Sequence, residues 1–371
     1  MKIGAGRCFL QKALTRALLS DDMKDTKTNF LEIVRAAWDN YDAWGKIKRI
    51  TDISVRVSTN YVYKVEFENR GFVIAKLSYF GKFEHFKEDH TIINSLSNNL
   101  PFPYDNFLSR SLMLGTETYV YRHQNAGQDV WVVFYRPVKV RKKLPPRLTP
   151  GIIVKLGAEA ACFHKACHAV RNTLPKSTKT FATDTQDLAD YLDTDAGIAE
   201  HGANRAEIKR QCDLLLRNTL LLNSEKLVRI PVFTDWNIGN FSVTQSYRFF
   251  SRWDYDWFRT SSRMMDFYFF SRVVSNVGDR PEWTYNIEPM QEERFLLFLK
   301  SYHSVFPLTA TEIHSLREVY RFFILNYVIK EGRYFFHDKY AAKFQAEAID
   351  RYFPSIEAFD SERLVHKLGL K

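Results

Sequence analysis

Between Lys46 and Pro137 the chain alternates apolar and polar residues with a period of two, and on both sides of that block its apolar residues recur with the period of a helix. Strands collected in one block and helices in another build a sheet and a helical body side by side. The fold class expected is therefore α+β in two lobes, not an alternating βαβ sheet. Upstream, "NFLEIVRAAWDNYDAWG" sets Phe30, Ile33, Ala37, Tyr41 and Trp44 on one stripe, with Asn29 as cap, Glu32 three residues on and Gly45 as the stop. "SVRVSTNYVYKVEF" and "FVIAKLSYF" predict strands joined by a turn at "ENRG", followed by a helix in "FEHFKEDHTIINSL" and strands in "TETYVYRH" and "DVWVVFYRP". Beyond the Pro-rich connector, "TPGIIVKLGAEAACFHKACHAV" predicts a helix with Thr149 as cap and Pro150 in its first turn, and "RAEIKRQCDLLLRNTLLL" predicts another. A short strand in "LVRIPVF" and a hairpin in "FSVTQSYRFFSRWD" precede aromatic, helical text from Met264 onward. The organisation expected is an extension and helix over 1–45, a β-rich small lobe with one helix over 46–137, and a larger, mainly helical lobe over 138–371.

Composition narrows the function classes. A chain of 371 residues with 45% hydrophobic and 26% charged residues is globular, and it holds no apolar run long enough to cross a membrane. Its N-terminal stretch carries some leucine, but Gln11, Lys12, Thr15 and Arg16 interrupt any secretory core, so an extension is expected there. Cys8, Cys162, Cys167 and Cys212 have no paired spacing and read as reduced, which places the chain in the cytoplasm. "HKACH" brings His164, Cys167 and His168 into about one helical turn, yet no second ligand cluster accompanies them, so helix residues are expected there. A net charge of +10 suits nucleic acid, a membrane surface or an anionic small substrate. The densest basic run, Arg136 to Arg147, lacks interleaved aromatics and any nucleic-acid motif; it reads as a solvated connector, and neither nucleic acid nor membrane is expected as a partner. Oligomeric state is not legible.

Four pieces carry chemistry. "VIAK" delivers Lys76 at the end of a strand, and Glu88 falls on the helical stripe of His85, Ile92 and Leu96, so its side chain is expected to point inward. "VFTDWNIGNF" holds Asp235 and, five residues on, Asn240; "RWDYD" brings Asp254 to the end of a strand. Phosphoryl transfer needs such a set: a lysine for nucleotide phosphates, an acid to hold it, hard oxygen ligands for magnesium, and a carboxylate to orient the attacking hydroxyl.

In this order the pieces resemble the aminoglycoside phosphotransferase and choline kinase-like family, relatives of the protein kinase fold. "STNYVYKV" with Asn60 is similar to the family's polar turn; Lys76 stands in the place of its strand lysine, and Glu88, Leu96 and Pro103 match its helix pattern. "LGAEAACFHKA" resembles a family helix with His164 in the histidine place, "TDWNIGNF" resembles its "GDlHpGNi" loop, and "WDYDWFRTSSRMMDF" keeps twelve residues between Asp254 and Asp266. The resemblance departs at Phe233, where the family has histidine, at Thr234, where it has glycine, and at Asn237 and Ile238, where it has histidine and proline. It implies a protein kinase-like fold and an ATP- and magnesium-dependent kinase that phosphorylates a hydroxyl of a small molecule. Asp235 would be the catalytic base, Asn240 and Asp254 the magnesium ligands, Lys76 the phosphate contact oriented by Glu88, and Asn60 part of the nucleotide-binding turn. Asp256 would be a second metal-site acid or a turn residue, Asp266 an anchor for the loop, and His164 structural. The alternatives are a non-catalytic pseudokinase, favoured by Phe233 and Thr234, and a protein Ser/Thr kinase, disfavoured by a Ser58–Asn60 turn without glycines. A sugar, an amino alcohol, an amino acid and a protein hydroxyl all remain open as acceptors, and the positive net charge makes polycationic antibiotics less attractive.

Overall fold

The computed structural model describes residues 30–42, 45–55, 60–69, 71–125, 128–223, 226–278 and 284–371. The extension expected before residue 30, with Cys8, and the positions of Trp44 and Ser58 lie outside the described residues. The chain forms two compact units.

The first unit comprises the described residues of Met1–Val55, Asn60–Tyr79 and Leu112–Arg136. Its helix α1 (residues 30–41) buries Phe30, Ile33, Val34, Ala37 and Trp38, a stripe of the kind a sheet-packed helix requires. Strands β1 (Ile47–Asp52), β2 (Tyr61–Phe67) and β3 (Phe72–Ser78) are followed by a two-residue ladder, β4 (Met113–Leu114) with β5 (Glu117–Thr118), and by β6 (Val120–Asn125) and β7 (Gln128–Tyr135). The main sheet is antiparallel in the order β1-β2-β3-β7-β6. Tyr63, Val65 and Phe67 alternate inward along β2 and join Ala75, Leu77, Val132 and Phe134 under α1. Tyr119 fastens the helix by donating its hydroxyl to the Ala37 carbonyl at 2.6 Å.

The second unit comprises the described residues of Phe80–Ser111 and Pro137–Lys371 and is mainly helical. It contains α2 (Phe83–Asn99), α3 (Pro150–Val170), α4 (Phe181–Leu192), α5 (Asp195–His201) and α6 (Arg205–Leu221). Two small antiparallel ladders follow: β8 (Arg229–Val232) pairs with β11 (Arg259–Ser262), and β9 (Phe241–Val243) pairs with β10 (Phe249–Arg252). Then come α7 (Phe267–Val274), α8 (Glu293–Val305) and α9 (Ala310–Phe323), which runs on into a π-helical turn at Ile324–Lys330. α3 and α8 approach closely at Gly157, where a Cβ would lie 2.6 Å from the Phe298 carbonyl oxygen, so only glycine fits. The basic connector is not merely solvated. Lys142 exchanges backbone hydrogen bonds with Val243, and the Arg141 guanidinium lies 4.1 Å over the Phe250 ring. Among the described residues no helix is long and apolar enough to cross a membrane.

Candidate active site

β8 ends at Val232, and the chain then turns through Phe233 and Thr234 into Asp235. The turn is sharp: Asp235 N donates to Phe233 O at 2.6 Å, Trp236 N donates to Thr234 O at 3.0 Å, and Thr234 has φ +58°. A β-branched residue in the left-handed region is strained, and surrounding structure has to hold it there. Asp266 does so. Its Oδ1 accepts from Phe233 N at 2.9 Å and Thr234 N at 2.6 Å, while its Oδ2 lies 3.0 Å from His164 Nε2. His164 Nδ1 meets the Tyr302 hydroxyl at 2.8 Å, so α3, α8 and the start of α7 converge on one fully buried carboxylate. Asp266 and His164 thus anchor the loop; Cys167 is buried in the same helix.

Phe233, fully buried, packs against Phe258 at 5.4 Å, Tyr255 at 5.8 Å and Phe163 at 6.0 Å between ring centroids. The Arg252 guanidinium lies 4.7 Å over Phe233 and 4.4 Å over Trp236, and its Nη2 donates to the Asp235 carbonyl at 2.8 Å. This arginine, buried at the end of β10, was missed in the sequence, because a charged strand residue reads as solvent-facing. Its signal was its place two residues before Asp254.

Beyond the turn, Asp235 Oδ1 accepts from Asn237 N at 3.2 Å and Oδ2 accepts from Asn240 Nδ2 at 2.9 Å. With its nitrogen committed in this way, Asn240 has its amide oxygen left for a cation. Trp253 N donates to the Asn240 carbonyl at 3.0 Å, which sets Asp254 beside the loop; Asp254 also has a positive φ, +71°. Burial, and after it the negative charge of Asp254, push the Asp235 carboxyl up to about 6. Asp256 donates its N–H to Asp254 Oδ1 at 3.4 Å, so it shapes the turn. The donor set fits a hard divalent cation: Asp254 and Asn240 offer oxygen, and a cation would relieve the repulsion between Asp254 and Asp235. Among the described residues no three His, Cys, Asp or Glu side chains form a ligand group, so a cation here would complete its shell with phosphate and water.

Lys76 sits in β3, opposite Val62 of β2 and Val133 of β7, and is 5% exposed. Asn60, also buried, accepts from the Ser78 hydroxyl at 3.3 Å. Glu88 does not turn inward as its stripe suggested. Its carboxylate accepts from Ser177 Oγ at 2.7 Å, Thr178 Oγ1 at 2.8 Å and Thr178 N at 2.9 Å. The buried acid of α2 is its neighbour Asp89, bonded to Lys179 Nζ at 2.5 Å, although Ile92 and Leu96 of the expected stripe are themselves buried.

No family model matches the chain, and no curated protein matches its sequence. Solved structures do match. An amicoumacin kinase in complex with AMP-PNP, Ca2+ and its ligand is 16% identical at a TM-score of 0.57, over 90% of this chain and 99% of that one. A microcompartment-associated aminopropanol kinase is 17% identical at 0.56, over 91% and 99%. A GDP and kanamycin complex of an aminoglycoside phosphotransferase is 11% identical at 0.51, over 87% and 98%. The strained aspartate loop, its buried anchor and these likenesses lead to one statement: the chain has the two-lobed, protein kinase-like fold of the aminoglycoside phosphotransferases and related small-molecule kinases.

Proposed function

We propose that the protein is an ATP- and magnesium-dependent kinase that transfers the terminal phosphate to a hydroxyl of a small molecule. The observation that carries this reading is Asp235 on its strained loop, held by Asn237 and Asn240 and crowded by Asp254. A structural turn has no need of two facing acids and two left-handed residues, whereas strain of this kind collects where groups must be held ready for reaction. The neighbours of known structure support it, being kinases whose descriptions name a nucleotide analogue, amicoumacin or kanamycin.

In this reading Asp235 orients the acceptor hydroxyl and takes up its proton. The hydroxyl oxygen forms a bond to the terminal phosphorus, and the bond from that phosphorus to the bridging oxygen breaks, so that ADP leaves with the electron pair. Asn240 and Asp254 would hold magnesium, which when bound would neutralise charge on the phosphate oxygens. Lys76 and Asn60 contact the nucleotide, and Glu88 positions the Ser177–Thr178 segment through its hydrogen bonds. Charge counts against a polycationic acceptor, since the buried cations Arg252 and Arg272 both act on the Asp235 carboxyl.

The test is a thermal melt and a calorimetric titration with Mg-ATP, which stabilises only if it binds the native state. Stabilisation by Mg-ATP, lost in Asp254→Ala, is expected; no shift and no heat at saturating nucleotide would remove the kinase reading at its first step.

A further inference from the structure

Buried arginines in the second unit have carboxylate partners with one instructive exception beyond Arg252. Arg259 bonds Asp184 at 2.5 Å, Arg263 bonds Glu312 at 2.7 Å, and Arg321 bonds Glu318 at 2.9 Å. Arg252 donates Nη2 to the Asp235 carbonyl and covers two rings, while its Nε and Nη1 are also buried without a hydrogen-bond partner. Arg272, 8% exposed on α7, has no carboxylate partner: among the described residues it makes no ion pair, and although its guanidinium hydrogen-bonds Tyr285, its Nη1 is buried without a hydrogen-bond partner. Its guanidinium instead lies over rings, 4.9 Å from Tyr285, 5.1 Å from Phe269 and 5.9 Å from Tyr268. Cation–π contact offsets part of the cost of burying this charge, but it leaves Nη1 unsatisfied, and a buried donor without a partner is expensive.

This group adjoins Asp235. α7 follows directly on the anchor Asp266, and its Phe270 stacks on Trp236, the residue after Asp235, at 4.7 Å. The charges report the same neighbourhood: Arg272 lowers both the Asp235 carboxyl and the Tyr285 hydroxyl, and Asp235 raises Tyr285.

Building on the kinase reading, we infer that the acceptor is a hydroxycarboxylate, whose carboxylate binds Arg272 while its hydroxyl is presented to Asp235. A guanidinium forms two parallel hydrogen bonds to a carboxylate, and that geometry would satisfy Nη1. One cation among aromatic rings matches a single negative charge better than a phosphate dianion, which would need more donors than the described residues supply here. An amino alcohol would bring a cation to a cation. The site therefore selects against ammonium-only acceptors and for acceptors of the same size that add a carboxylate.

The test compares pairs that differ by that group: serine with ethanolamine, homoserine with aminopropanol, and glycerate with glycerol. Each is titrated by calorimetry and thermal melt and, with Mg-ATP, assayed for phosphate transfer. At least one carboxylate compound is expected to bind at least about tenfold more tightly than its counterpart, the scale of hydrogen bonds to a charged group. Arg272→Gln should erase that preference and Arg272→Lys should retain part of it; the Lys variant and the wild-type pairs decide the matter if the Gln variant does not fold. No binding by any of the three carboxylates, equal or tighter binding of the counterparts, or a preference unchanged in Arg272→Gln would each overturn the inference. The binding arm needs no nucleotide. A carboxylate preference without any Mg-ATP effect would uphold the anion site and sink the kinase reading, and turnover of ethanolamine or glycerol with no carboxylate preference would do the reverse.

Discussion

Asn240 donates its amide N–H to the carboxylate of Asp235 across 2.9 Å, so two residues five apart in sequence meet over a single turn. The bond favours the ionised aspartate, yet burial and Asp254 outweigh it and hold the carboxyl near 6. A carboxylate kept ionised against its surroundings is poised to accept a proton, and it also burdens the fold.

The first prediction follows from that burden. The folded-state value of about 6 lies above the ordinary 3.8, so the folded form binds more protons than the unfolded form between those values. The destabilising contribution is fully present above about pH 6 and vanishes as pH falls below about 4. Asp235→Asn should therefore stabilise the protein near neutral pH by at most about 3 kcal/mol, seen as a higher melting temperature. The gain should shrink toward zero in acid, while transfer activity is lost. A melt series from pH 4 to pH 8 on the metal-free protein checks it, and a gain independent of pH would refute the assignment.

The second prediction concerns Thr234, which is buried, adopts φ +58°, and leaves its hydroxyl without a partner. Glycine accepts this conformation without strain and removes the orphaned hydroxyl, effects of about 1–3 kcal/mol each, against about 1 kcal/mol of added chain entropy and a lost methyl contact. Thr234→Gly is expected to stabilise the protein by about 1 kcal/mol. Chemical denaturation measures this, and a loss of stability would show that Thr234 packs better than its backbone angle implies.

How much of this was legible follows the range of the interactions. The change of period gave the two blocks, and the stripe of Phe30, Ile33 and Ala37 gave α1, because a helix or strand writes its buried face locally. Asp235 and Asn240 were legible because one turn brings them together. Arg252 and Arg272 were not: their roles depend on rings from Phe233, Trp236 and Tyr285, contributed by other segments. The misreading of Glu88 has a similar cause. Glu88 and Asp89 are neighbours on one helix, and only the positions of Ser177, Thr178 and Lys179 decide which of them turns inward. α4 and α5 were passed over because their helical signals are short and polar, resting on caps at Thr180 and Thr194.

The last prediction addresses the anchor. Asp266 satisfies two buried backbone N–H groups at the strained turn and is itself met by His164. Removing the carboxylate orphans both N–H groups, about 1–3 kcal/mol each, and frees the only side chain seen to hold Thr234 by hydrogen bonds among the described residues. Asp266→Ala should therefore cost on the order of 3–5 kcal/mol, in the range of other broken buried networks. Asp266→Asn keeps one oxygen for the two N–H groups, and the other tautomer of His164, with Nε2 accepting from the new amide and Nδ1–H donating to the Tyr302 hydroxyl, can accommodate it, so it should cost less than half as much. Stability alone does not separate an anchor from ordinary packing, so the decisive readout is local. Amide hydrogen exchange at Phe233 and Thr234 should accelerate in Asp266→Ala more than exchange in the β9–β10 hairpin does. Uniform acceleration across the second unit would mean that the carboxylate supports the core at large, not the loop that carries Asp235.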